Sequence, residues 1–238
     1  MINLPVLVKK ATLIAIIFML LFFCWQAIKM GKANLNFYST HQLTEFWLEH
    51  ELTERNQYHV ALQAIERANN EHPQNPQYMV TQGLVYEWGA ITSLFAGEQQ
   101  KQQRLIQAKS YYLDAIALRP TWPVTWATLA ILKWRLGEID QELIDYLKQA
   151  DKYGPYVMEV HQAWLEIGFY LYQNKSQYTV QVIKGLRIHL KEMLKQANSP
   201  FAHSAITIIK RHKVEQLACR WLNSYDFDTQ QQKSMLCL

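Results

Sequence analysis

The sequence predicts an all-α protein: one membrane-spanning helix at the N-terminus, then a stack of helix pairs. Three observations carry that expectation. A charge-free apolar run stands near the N-terminus, a spaced set of small residues, large residues and prolines recurs downstream, and turn formers are scarce. Only 8 glycines and 7 prolines occur in 238 residues, while apolar residues make up half the chain. That profile suits helices rather than many short strands.

The anchor comes first. Ala11–Ile28 holds eighteen residues without a charge. At about 1.5 Å per residue the run reaches roughly 27 Å, close to the hydrocarbon thickness of a bilayer. Trp25 suits the interface, and Lys29 and Lys32 suit the headgroups. A cleaved signal peptide fits less well, because lysines flank the small residues at Gly31-Lys32-Ala33 and the apolar core is long. Phe22-Phe23 before Cys24 also makes a poor lipoprotein site. Residues 1–33 therefore read as an uncleaved anchor spanning the bilayer at 11–28. Lysines lie on both sides of the run, but a short basic N-terminus ahead of it is the layout of a signal anchor. The expected topology is single-pass in a bacterial inner membrane, with the remaining domain in the periplasm.

The repeat follows. Ala61, Ile65, Ala68 and Pro73 are spaced by four, three and five residues, and Ala108, Tyr112, Ala115 and Pro120 repeat those intervals. Tyr146, Ala150 and Pro155 form a third copy with one extra residue. Small residues let a neighbouring helix approach, the larger one fills the gap, and proline stops the helix. This pattern resembles the tetratricopeptide repeat, a helix pair of about 34 residues. Trp126, Leu129 and Ala130 match its W-x-x-L-G/A opening, with Gly137 at the turn between helices. In the first copy Leu48, Asn56 and Tyr58 match, and Glu45 replaces the opening tryptophan. In the second, Gly83 and Tyr86 fit, but Pro73 and Pro120 lie 47 residues apart. The surplus falls at Gly89–Arg104, read as an extended helix or an exposed loop.

The expected architecture is thus an N-terminal transmembrane helix followed by a tetratricopeptide-like α-solenoid. Three degenerate repeats occupy 42–156, and 157–238 is a helical extension. Within that extension Val157–Tyr172 suits a buried helix, Tyr178–Ala197 an amphipathic one, and Asn198-Ser199-Pro200 a break. The register of such repeats places Trp126 between helices. It turns Phe46, His50, Leu84, Trp88, Ile131, Trp134 and Arg135 toward the concave, partner-binding face. That groove is either open, or filled by the C-terminal helices.

Charge is uneven. Residues 1–33 carry four lysines and no acid, 34–156 carry 10 basic and 14 acidic residues, and 157–238 carry 10 basic and 6 acidic. No basic excess of the kind nucleic-acid binding needs is present. Lys184, Arg187, Lys191 and Lys195, with Lys210, Arg211 and Lys213, are candidates for contact with an anionic polymer or lipid headgroup, or are solvated helix ends.

No reaction signature appears: neither phosphate-binding glycine motif, nor G-x-S-x-G, nor H-E-x-x-H. His41, His50 and His59 are nine residues apart, so neighbours fall on opposite helix faces and no metal set forms. Asp140, Glu142 and Asp145 read as a solvated surface. The expectation is a non-enzyme without cofactor or metal. Cys219 and Cys237 lack C-x-x-C spacing and pair only if the domain reaches an oxidising compartment.

The anchor, the degenerate repeats and the segment R-P-x-W-P-x-x-W-A-x-L-A (Arg119 to Ala130) together resemble the VpsP family of bacterial polysaccharide-biosynthesis proteins. The resemblance implies an accessory role in exopolysaccharide synthesis or export, with protein partners from that membrane machinery. It carries over no catalytic residue. Two alternatives are a periplasmic assembly chaperone holding an unfolded client and, less favoured, a polymer-modifying enzyme.

Overall fold

The computed structural model describes residues 4–50, 54–92, 95, 97–195, 199–223 and 237. Among them are ten α-helices and no strand. They are α1 (Leu4–His50), α2 (Arg55–Glu71), α3 (Pro76–Ile91), α4 (Glu98–Leu118), α5 (Pro123–Arg135), α6 (Gln141–Tyr153), α7 (Met158–Gln173), α8 (Thr179–Leu194), α9 (Pro200–His212) and α10 (Glu215–Asn223). The chain divides into two compact units, Met1–Tyr111 and Tyr112–Leu238.

In the first unit α1 runs unbroken for 47 residues. The boundary expected between 33 and 42 falls inside this helix. No proline interrupts it there, and its distal part has a partner: Thr40 Oγ1 donates to the Ala61 carbonyl of α2 at 3.1 Å. Ala33, Thr40, Thr44 and Trp47 are buried. Trp47, fully enclosed, donates from Nε1 to Gln57 Oε1 at 3.1 Å. The first copy thus has a packing tryptophan two residues beyond Glu45. Upstream the picture inverts, since Leu13, Ile14, Phe18, Phe22 and Phe23 are all more than half exposed. This part of α1 is long and apolar enough to cross a membrane once.

α2, α4 and α6 each end two residues before a proline, at Pro73, Pro120 and Pro155. Next come caps: Asn75 accepts from Gln77 N with Pro76 following, Pro123 opens α5, and Asp140 Oδ1 accepts from Leu143 N. Gly137, at φ 74°, makes the turn between α5 and α6, where a left-handed residue is required. Ala61, Ile65, Ala68, Ala108, Tyr112, Ala115, Tyr146 and Ala150 are all buried. The surplus segment resolves into a longer α4 and a connection whose Phe95 turns back onto Tyr58, with the Arg104 guanidinium 4.2 Å from its centroid. Residues 93, 94 and 96 lie outside the described set.

In the second unit α5 packs on α6 and α7, α7 on α8 and α9, and α8 on α9. A Cβ on Gly185 would lie 2.4 Å from Trp164, so α8 crosses α7 where only glycine fits. Leu165, Phe169, Leu186, Leu190, Ile209 and Leu217 lie in one core joining α7 to α10. The helices expected at Val157–Tyr172 and Tyr178–Ala197 are α7 and α8. Of the expected break, Asn198 lies outside the described residues, and Ser199 caps α9, its Oγ accepting from Ala202 N at 3.1 Å. Of the terminal segment from Asp228 only Cys237 is described, in a disulfide with Cys219 at a Cα separation of 5.7 Å.

Candidate functional site

Of the expected concave-face residues of the second unit, Trp134 meets its own chain, Ile131 is half-buried and Arg135 is exposed. Trp134 is half-buried, edge-on to Tyr170 of α7 at 5.6 Å and tilted against His212 of α9 at 6.5 Å. Beneath them Glu166, buried on α7, takes the Arg211 guanidinium on Oε1 and His212 Nε2 on Oε2, the latter at 2.7 Å. Arg135 is exposed, and its guanidinium lies near enough to Glu166 and Arg211 to feel both charges. At Trp134 the groove is therefore filled by α7 and α9. Ile131 is half-buried on the same helix.

In the first unit Phe46 and His50 are exposed and stack on each other, centroids 4.4 Å apart and planes 11° from parallel. Trp88 is edge-on to Trp47 at 6.1 Å and packs against the core, and Leu84 is half-buried. Phe46 and His50 are thus an exposed aromatic pair, whereas Trp88 works in packing. Trp126 is half-buried rather than enclosed: its indole donates to the Pro120 carbonyl at 2.7 Å and leans on Tyr146. Trp122 is exposed, with the Arg119 guanidinium 4.0 Å over its ring.

The basic candidates do not form one patch. Arg211 is committed to Glu166, Lys195 pairs with Glu192 at 2.5 Å, and the Arg187 guanidinium lies 5.7 Å from the Trp221 ring centroid. Lys184, Lys210 and Lys213 are exposed, and Lys191 is half-buried.

Asp140 and Glu142 are half exposed, as expected of a solvated surface, but they also hold a buried lysine. Lys133, buried on α5, extends its ammonium to Glu138 and Asp140 at 2.9 Å and Glu142 at 2.5 Å. Burial works against that charge, but hydrogen bonds to Glu142, Asp140 and Glu138 outweigh it and raise the lysine pKa. The three carboxylates could ring a divalent cation. The chain supplies its own cation instead. Asp145, by contrast, bonds only with Gln141 among the described residues, on the exposed side of α6. A lone lysine in an apolar helix was the available signal.

A second constellation also went unread. His161 of α7 and His189 of α8 are both buried, with their Nδ1 atoms 2.7 Å apart. His189 Nε2 lies 3.4 Å from Asp151 Oδ1, and Trp164 stacks on its ring. With Nε2–H directed to the carboxylate, His189 Nδ1 must accept, so His161 Nδ1 donates and its Nε2 keeps a lone pair. Burial, then the neighbouring His161, push His189 down to about 3, and burial lowers His161 against the pull of Glu192. Burial raises the Asp151 carboxyl. His161 also lines a cavity of about 200 Å³ with Tyr156, Glu192, Lys195, Ser199 and Phe201.

Two outcomes follow. Trp134→Ala should cost about 2 kcal/mol, roughly half the loss of a fully buried tryptophan. Trp122→Ala should change stability by under about 0.5 kcal/mol. Equal melting temperatures for the two variants would contradict the filled groove. Stability should also fall with pH through the window from the ordinary histidine value near 6.5 down to about 3. There the unfolded chain binds a proton that folded His189 refuses, giving a slope of about 1.4 kcal/mol per pH unit per proton. His189→Phe, which keeps a ring on Trp164, should flatten that slope in urea titrations at successive pH values.

Comparison with models of known protein families yields no match, and comparison with characterised proteins yields no related sequence.

Proposed function

We propose that the protein is a single-pass, membrane-anchored helical-repeat adaptor, accessory to bacterial exopolysaccharide synthesis or export, that gathers protein components beside the bilayer. The observation that carries the tethering is α1, one helix whose apolar, exposed half continues without a break into the half packed on α2. A continuous helix transmits position, so the first unit is held at a fixed height and orientation above the lipid. The paired packing of α5 to α9, with helix ends at Pro73, Pro120 and Pro155, supports reading 42–156 as degenerate tetratricopeptide-like units extended by α7–α10. The polysaccharide assignment rests on the likeness of Arg119–Ala130 to the VpsP family.

The periplasmic side is favoured by the signal-anchor layout and by the Cys219–Cys237 bond, which persists in oxidising compartments. A chaperone for unfolded clients has less support. It needs an open apolar groove, and the α5/α7/α9 face is filled by its own ion pairs and rings. The proposal is for a non-enzyme.

Affinity capture of the full-length protein from crosslinked membranes should return polymerase or export components. A phosphatase fused after Leu238 should be active. Capture of one unfolded client, or turnover of a glycan by the purified protein, would overturn the adaptor reading. An inactive phosphatase beside an active cytoplasmic reporter would overturn the orientation alone.

A further inference from the structure

The cavity beside His161 has a composition that selects for one kind of ligand. It lies among α7, α8 and the start of α9, entirely within the second unit. At about 200 Å³ it has room for roughly six waters' worth of liquid volume, below the size of pockets for drug-like ligands. The occupant is therefore small. Its walls offer two aromatic rings, Tyr156 and Phe201, of which Tyr156 is 78% exposed. Besides the Tyr156 and Ser199 hydroxyls, the described residues offer two further hydrogen-bond acceptors. One is His161 Nε2, which has no partner among the described residues, on a ring that lines the cavity. The other is Glu192, whose Oε2 holds Lys195 while Oε1 is unpartnered among the described residues. The Lys195 ammonium keeps further donors.

Charge narrows the choice. Glu192 and Lys195 neutralise each other, and His161, packed on His189, is uncharged, so the described lining carries no net charge. An anion would meet the Glu192 carboxylate and the His161 lone pair. A cation would compete with Lys195 for a carboxylate already held at 2.5 Å. A neutral polyol meets neither penalty. Its hydroxyls donate to His161 Nε2 and Glu192 and accept from Lys195, and the apolar C–H face of a pyranose ring covers Tyr156 or Phe201.

We propose that this cavity binds one neutral pyranose unit. The inference rests on the cavity alone, and holds or fails independently of which proteins the adaptor gathers.

The test uses the full-length protein in lipid nanodiscs prepared without sugar-headed detergents. Saturation-transfer NMR is recorded with methyl hexosides and methyl N-acetylhexosaminides, beside glucuronate and glucosamine as charged controls. Saturable binding of a neutral glycoside in the millimolar range is expected. Tyr156→Ala and Glu192→Gln should each weaken it roughly tenfold or more. Both positions reach solvent, and melting curves matching the parent protein confirm that the fold survives. Because burial lowers the His161 pKa below its ordinary value, binding should hold steady from about pH 8 to about pH 7. Stronger binding of glucuronate or glucosamine, no saturation by any neutral glycoside, or binding unmoved by both substitutions would each overturn the proposal. None of these results alters the partner-capture outcome, so the two readings fail separately.

Discussion

Close approach between helices is the constraint on which the rest of this structure depends. Ala61, Ala68, Ala108, Ala115 and Ala150 are buried with almost no exposed surface. Their enclosure leaves no room for a longer side chain without moving a neighbour. Glycine does the same where contact is tighter still: a Cβ on Gly89 would meet the Tyr58 ring at 2.5 Å, and one on Gly185 would meet Trp164. Ile65, Tyr112 and Tyr146 fill the space that the small residues open. Packed interiors tolerate little change in volume, so the spacing of small and large residues fixes which helix faces meet. The prolines then set where each second helix must stop.

Two functional consequences follow from that packing. The first is mechanical. Because α1 pairs with α2 through Thr40, Thr44 and Trp47, its exposed apolar half projects from a packed unit rather than from a flexible linker. The second concerns polarity. The interior of the α5–α9 stack is held by charge as well as by apolar contact, with Lys133 among three carboxylates and Glu166 between Arg211 and His212. Lys133 and Glu166 are the buried members, and because a buried charge is costly unless partnered they favour this arrangement of the helices. The face around Trp134 is covered by side chains of α7 and α9, not an empty trough.

What the sequence made legible was whatever depends on spacing along one chain. The charge-free run Ala11–Ile28, the quartets at Ala61 and Ala108 and the proline stops all describe contacts within a helix or with the next one. Trp134 shows the limit. Its register placed it on a groove-facing side, but what fills the groove is Tyr170 and His212, 36 and 78 residues away, on helices with no repeat consensus. Lys133 and its acids were missed for a related reason. Asp140 and Glu142 look solvated on α6 alone, and their role appears only when the end of α5 is folded against them. The His161–His189 pair spans 28 residues and two helices, so no local motif announces it. The Cys219–Cys237 bond was open in the sequence because pairing depends on Cα distance, not on sequence separation.

The most direct measurement is the thermal and urea unfolding of Ala61→Leu, Ala108→Leu and Ala150→Leu, one in each copy of the spaced pattern, beside Ala11→Leu on the exposed half of α1. If close approach organises the fold, each of the three should lose about 1–3 kcal/mol through overpacking. Ala11→Leu should leave stability unchanged. Three variants as stable as the parent would mean that the helices do not meet at these positions, and the account of how this chain folds would be wrong.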